Sequence, residues 1–153
     1  MLLYADDLVI IGDHVGRTQQ LLDTLSIFCN KWGLSVNFSK TKAMVYRKGG
    51  IIKKTEKFYF NHKQLENVSY YKYLGILMST RLSWSPAQKY LASQAERACY
   101  TLNQVLYNCD YSCKVGMKLF DACVLPIITY GSELFASNVH NCVETVKLKY
   151  FKK

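Results

Sequence analysis

Proline is scarce in this chain, with two among 153 residues, and no low-complexity or internally repeated segment is present. Long hydrophobic runs are absent as well, so no stretch reaches the length needed to span a bilayer. Asp6, Asp7 and Asp13 interrupt the apolar N-terminal region and no basic leader precedes them, so no secretory signal peptide is expected. Acidic side chains are few: eleven Asp and Glu face twenty Lys and Arg, for a formal charge of +9 and a pI of about 9.2. Such a balance favours a polyanionic partner. From these absences the chain is expected to be soluble and intracellular, nuclear or cytoplasmic, with no membrane partner.

What is present points to a folded protein. Half of the residues are hydrophobic and 14% aromatic, enough for a single core or one or two small domains. Positive charge is uneven. Residues 1–50 carry six basic against four acidic side chains, and residues 51–153 carry fourteen against seven. Phosphate-backbone contacts are therefore expected mainly in the C-terminal two-thirds. Six cysteines do not make a disulfide framework. Cys29, Cys99, Cys123 and Cys142 lie among apolar or helical positions, and Cys109 with Cys113 lacks the second pair a structural zinc site needs.

Periodicity divides the chain near Leu82. Leu2–Tyr4 and Leu8–Ile11 read as two strands flanking Ala5-Asp6-Asp7. Leu21, Leu22, Leu25, Phe28, Cys29 and Trp32 share one helical face, with Thr18 as N-cap and Gly33 as the C-terminal stop. The alternation of Leu34, Val36 and Phe38 predicts a strand, followed by short strands at Ala43–Tyr46 and Lys57–Phe60. A turn at Asn61-His62-Lys63 and a strand over Tyr70–Met78 complete this half. Arg47–Lys54 reads as a basic, glycine-containing connection. Helices then dominate. Ser85-Pro86 predicts a start, with Ser as cap and Pro at the first helical position, and Leu91, Ala95, Ala98, Leu102 and Val105 mark a long amphipathic helix. Further helices are predicted over Ser112–Leu125, Ile127–Ser137 and Val139–Phe151.

Tyr4-Ala5-Asp6-Asp7 is the segment richest in chemistry. Two carboxylates at a hairpin tip suit a divalent metal shared with a phosphate, although an isolated Asp-Asp is ordinarily a solvated turn. The tetrapeptide resembles the catalytic hairpin, motif C, of reverse transcriptases. Gly33-Leu34-Ser35-Val36-Asn37-Phe38-Ser39-Lys40-Thr41-Lys42 resembles motif D of the non-LTR (LINE-like) retrotransposon enzymes. Tyr71-Lys72-Tyr73-Leu74-Gly75-Ile76 resembles the Tyr-Leu-Gly segment of the primer-grip hairpin that follows. Leu125-Pro126-Ile127-Ile128-Thr129-Tyr130-Gly131-Ser132-Glu133 is similar to a segment of the downstream helical region, read here as scaffold. The blocks fall in family order across residues 2–151.

That resemblance implies an α+β fold, a partial polymerase palm of β-hairpins plus a helix followed by an all-helical thumb-like region. Residues 1–81 correspond to the C-terminal palm and residues 82–153 to the thumb or connection. It implies RNA-directed DNA synthesis by two-metal nucleotidyl transfer, with Mg2+ or Mn2+, an RNA template, a DNA primer and a dNTP. Asp6 is the first metal ligand and Asp7 a weaker one. Lys40 matches the family's general acid, with Lys42 as runner-up. Tyr4, Lys42, Tyr71, Lys72 and Tyr73 fall where nucleic acid is contacted, and Lys89 and Arg97, with Lys114 and Lys118, are basic candidates on the helices. In the family the fingers and a further metal-binding Asp of motif A lie upstream of the hairpin, and nothing here represents them. The expectation is a fragment inactive on its own. The alternative is a non-catalytic basic nucleic-acid-binding remnant, and a further one is a chain that folds poorly around an exposed sheet edge.

Overall fold

The computed structural model describes residues 1–49, 56–107, 111–135 and 140–151, the side chains of 140–143 excepted. The fold is α+β, β-hairpins and one helix followed by helical segments. It divides into two compact units: residues 1–71 with 80–82, and residues 72–79 with 83–153.

The first unit opens with β1 (Leu2–Tyr4) and β2 (Asp7–Val9), antiparallel with Tyr4 opposite Asp7. The second strand ends two residues short of the predicted Ile11. Helix α1 (Val15–Trp32) begins before the predicted cap. His14 occupies the cap position, and Thr18 lies inside the helix with its hydroxyl donating to the His14 carbonyl at 3.0 Å. Gly33 closes the helix at φ 63°, as its position predicts. Of the predicted apolar face, Leu22 and Cys29 are buried, whereas Phe28 and Trp32 are exposed.

No strand forms over 34–38. Val36 and Phe38 do turn inward, but the backbone closes into a turn capped by Asn37 instead of pairing. Alternating burial and strand pairing are separable, and here only the first occurs. The next strand is shorter than predicted: β3 (Lys42–Ala43) runs parallel to β6 (Glu66–Asn67). Between them β4 (Tyr59–Phe60) and β5 (Lys63–Gln64) form a hairpin whose turn, Asn61-His62, takes positive φ at both residues. Part of the predicted Arg47–Lys54 connection, from 50 on, lies outside the described residues. Leu22, Cys29, Phe58, Phe60 and Leu65 form this unit's core, with Phe38 and Phe60 ring centroids 5.7 Å apart.

The predicted strand over 70–78 is two strands, β7 (Tyr70–Tyr73) and β8 (Ile76–Ser79), paired in one sheet. Leu74 and Gly75, both at positive φ, make the turn between them.

In the second unit, α2 (Ser85–Val105) buries Ala87, Leu91, Ala95 and Cys99. Ser85 is already helical and Trp84 holds the cap position, one residue earlier than predicted. Val105, predicted on the apolar stripe, is exposed near the helix end. Helix α3 (Cys113–Cys123) stops short of Leu125, where the short α4 (Leu125–Ile128) begins. The predicted helix over 127–137 does not continue: Gly131 at φ 67° breaks it, and a 3₁₀ turn follows at Ser132–Leu134. Ser137 and Val139 fall outside the described residues, and α5 (His140–Phe151) ends the described chain. Ala95, Cys99, Phe120, Val124, Ile128, Val146 and Tyr150 form the second core. Removing the Phe120 side chain from it is worth about 3–5 kcal/mol. The exposed Lys149–Glu96 pair, 2.5 Å apart, is worth about 0.5 kcal/mol at most.

Candidate functional site

Asp6 sits in the two-residue turn between β1 and β2, and Asp7 is the first residue of β2. Ala5, at the first turn position, holds φ 51°. Positive φ there belongs to the primed turns that match the twist of two short strands, and a β-carbon makes it costly. Both carboxylates are exposed, and among the described residues neither enters an ion pair or a side-chain hydrogen bond.

The unit's other carboxylates are engaged. Asp13 lies 2.8 Å from His14 Nδ1 and 3.8 Å from Arg17. A backbone hydrogen bond above all, then the His14 and Arg17 charges, hold its carboxyl below the usual range. Asp23 accepts from Gln19 Nε2 at 2.8 Å. Glu66 pairs with Lys42 at 2.5 Å and Glu56 with Arg47. Asp6 and Asp7 are thus the adjacent acids left available to a cation. A hard-cation oxygen shell takes a few carboxylates with phosphate oxygens and water, and Asp6 and Asp7 are donors of that type. Among the described residues no group of three His, Cys, Asp or Glu gathers that could complete a protein-only site.

Lys40 lies in an exposed turn built by Asn37. The Asn37 side-chain oxygen accepts from Ser39 N at 3.1 Å, Ser39 Oγ at 2.7 Å and Lys40 N at 3.3 Å. Its carbonyl accepts from Thr41 N at 3.0 Å and Thr41 Oγ1 at 2.8 Å. Tyr71 adds a tether from a distant segment, its hydroxyl donating to the Lys40 carbonyl at 3.2 Å. Two segments singled out by sequence therefore meet, Tyr71 of one holding the turn of the other. Lys42 is spent differently, on its ion pair with Glu66 across β3 and β6. Tyr4 lies exposed on β1.

In the second unit, Lys72 Nζ donates to Tyr90 Oη at 2.6 Å. Tyr73, half-buried, shares its strand. Lys89 and Arg97 are exposed on α2, eight residues and so about 12 Å apart along one face. Lys114 and Lys118 are exposed on α3. Sequence reasoning missed Tyr90, which carries no motif. It also read Tyr130 as scaffold without its contact: the Tyr130 hydroxyl donates to the Leu74 carbonyl at 2.8 Å. A β-carbon on Gly75 would stand 3.0 Å from the Tyr130 ring, and one on Gly131 would stand 2.3 Å from the Ile76 δ-methyl. The Tyr-Leu-Gly turn and the Tyr-Gly corner are fitted to each other.

A shallow cleft of about 450 Å³ lies between α1 and the β4–β5 turn, lined by Gln19, Asp23, Ser26, Ile27, Tyr59, Asn61 and His62. Several of its polar groups are engaged internally. Gln19 bridges Asp23 and both backbone groups of Tyr59, and Ser26 donates to Asn61. No helix among the described residues is long and apolar enough to cross a membrane.

Residues 1–78 match the family model described as reverse transcriptase (RNA-dependent DNA polymerase). The chain is 30% identical over 141 residues to an uncharacterized transposon-derived protein of Caenorhabditis elegans, covering 90% of this chain and 49% of that protein. It is 27% identical over 143 residues to a probable RNA-directed DNA polymerase from transposon BS of Drosophila melanogaster, covering 86% of this chain and 15% of the relative. The chain thus spans about half the length of one curated relative and a smaller share of the other. No solved structure matches it.

Proposed function

Since the chain belongs to the reverse transcriptase (RNA-dependent DNA polymerase) family, we propose that it forms part of the polymerase of a non-LTR, LINE-like retrotransposon. Residues 1–81 are assigned to the palm and residues 82–153 to the thumb or connection. The observation that carries this reading is the carboxylate pair Asp6-Asp7, on a tight hairpin within the matched region and engaged by no other side chain among those described.

In this reading Asp6, with Asp7 beside it, holds Mg2+ or Mn2+ together with ligands from outside the described residues. When bound, the ion supplies the Lewis acidity for in-line displacement at phosphorus. The hairpin fixes the two carboxylates at the turn, so little reorganisation is needed when a dNTP binds. Lys40 is the proton donor to the leaving pyrophosphate. The Lys42–Glu66 ion pair favours Lys40 over Lys42 in that role. Tyr4 and Lys72 contact the RNA template and DNA primer, with Lys89 and Arg97 adding backbone contacts, while Tyr71 and Tyr73, half-buried on the other face of β7, support the segment from behind. Lys42 contributes there only when its pair with Glu66 opens.

The absence of a third acidic or metal-binding group beside Asp6 and Asp7 among the described residues favours a second reading, a non-catalytic nucleic-acid-binding remnant. Primer extension separates them. In a polypeptide that supplies the remaining length of the curated relatives, RNA-templated dNTP incorporation is expected. Asp6→Asn is expected to abolish it while leaving hybrid binding intact. The 153 residues alone are expected to incorporate nothing. Incorporation unaffected by Asp6→Asn would remove the carboxylate from the mechanism.

A further inference from the structure

We propose that the cleft between α1 and the β4–β5 turn receives an arginine side chain of a partner protein. None of the residues assigned to polymerase chemistry lines it. Its lining holds one carboxylate, Asp23, and no lysine or arginine, within a chain of formal charge +9. On the α1 wall the donors are used up and acceptors are left. Both side-chain amide hydrogens of Gln19 are spent, on Asp23 Oδ1 at 2.8 Å and on the Tyr59 carbonyl at 2.8 Å. Gln19 Oε1 accepts from the Tyr59 backbone N–H at 2.9 Å, and the Ser26 hydroxyl hydrogen goes to Asn61 Oδ1. Asp23 Oδ2 has no hydrogen-bond or ion-pair partner among the described residues, and the Ser26 oxygen keeps its lone pairs.

A wall of acceptors with one negative charge repels a phosphate and suits a cation with several donors. A guanidinium, with five N–H groups in a planar fork, meets that requirement better than an ammonium. At about 450 Å³ the cleft has room for the group, with Ile27 beside the methylene stem and the Tyr59 ring beside the guanidinium plane. Lys63, next to His62 in sequence, does not compete for the site, since its ammonium lies 5.1 Å from the Phe38 ring centroid.

The occupant belongs to a protein and is not a free cation, because the surface continues past the cleft. Further along α1, Phe28 and Trp32 stand 50% and 64% exposed with ring centroids 6.2 Å apart. A segment with an arginine followed by apolar residues sets its charge against Asp23 and its apolar side chains on this ridge. Arginine and aromatic side chains are the anchors that protein interfaces favour.

The test is an amide NMR titration of the 153-residue chain with N-acetyl-arginine amide, with the matching lysine and citrulline amides, and with a peptide of one arginine followed by two leucines. The arginine amide is expected to give saturable shifts at Gln19, Asp23, Ser26, Tyr59, Asn61 and His62. The lysine amide is expected to bind more weakly, and the citrulline amide, whose urea group is neutral, to give no saturable shifts. Asp23→Asn, which keeps an acceptor for Gln19, is expected to weaken the arginine amide about fivefold, the upper range for a solvent-accessible pair. Asp121→Asn, an exposed acid on α3, is expected to leave it unchanged. The peptide is expected to bind more tightly than the amide and to shift Phe28 and Trp32 as well. Equal binding of the three amides, or equal effects of the two variants, would overturn the docking site. A peptide no tighter than the arginine amide would assign the cleft to a small cation and overturn the protein partner. Displacement of the arginine amide by an RNA/DNA hybrid would assign the cleft to nucleic acid and overturn it likewise. Each of these outcomes leaves the polymerase reading standing, since primer extension with Asp6→Asn decides that one.

Discussion

Ala5 bears the backbone cost of the turn that presents Asp6. Its φ of 51° places a β-carbon where glycine is favoured. A residue in that region costs about 1–2 kcal/mol relative to ordinary helical or strand backbone. Ala5→Gly is therefore expected to raise the stability of the chain by about 1 kcal/mol, less the entropy that glycine adds to the unfolded state. Urea unfolding measures this, and a loss of stability would show that the Ala5 methyl contributes packing that outweighs the strain. The Asp6-Asp7 candidate was readable at this scale because adjacent residues stay neighbours along the backbone in any fold. Tyr90 and Tyr130 were not. Lys72 meets Tyr90 across 18 residues, and Leu74 meets Tyr130 across 56, separations over which no local pattern carries information.

Elements were legible where one signal dominated. The first hairpin, the Gly33 stop and the long helix α2 follow from flanking apolar runs, a left-handed cap and apolar spacing. They were misread where two signals conflicted. Val36 and Phe38 alternate inward, yet Asn37 captures the backbone hydrogen bonds that a strand would need. The apolar run after Pro126 hides a corner at Gly131, and the aromatic run around Tyr71 hides the Leu74-Gly75 turn. Helix α5 supplies an element-scale expectation. The Tyr150 hydroxyl donates to the Gly116 carbonyl at 3.3 Å, and burial, with smaller contributions from Tyr111, Cys99 and Cys123, raises its pKa above 10.0. Burial first, then Glu96, raises Cys99 above 9.0 on the facing helix. In both cases the folded chain favours the neutral form. The resulting stability is complete below the unfolded values and is lost as pH rises through the folded ones. The helical unit is expected to melt at progressively lower temperature above about pH 9, with Tyr150→Phe reducing the decline. A melting temperature independent of pH, or an identical decline in Tyr150→Phe, would contradict this account of the α2–α5 packing.

The whole molecule joins a basic surface to two modest cores, and each unit carries a different part of the proposed chemistry. The first holds the carboxylate hairpin and the Lys40 turn, and the second holds the basic faces of α2 and α3. Large apolar side chains stand exposed on β1 and α1, among them Leu3, Ile27 and Trp32. Scattered singly such residues are ordinary surface, and only where they adjoin do they mark an interaction surface or an aggregation liability. Overall class and family were legible because four blocks in order constrain a chain far more than any one of them. Paramagnetic broadening by Mn2+ in amide NMR spectra of the 153-residue chain bears most directly on the central claim, that the hairpin carries a polymerase metal carboxylate. The account predicts weak binding that broadens Asp6, Asp7 and their neighbours on β1 and β2, and that disappears in Asp6→Asn. Broadening centred on other acids, or unchanged by that substitution, would contradict it.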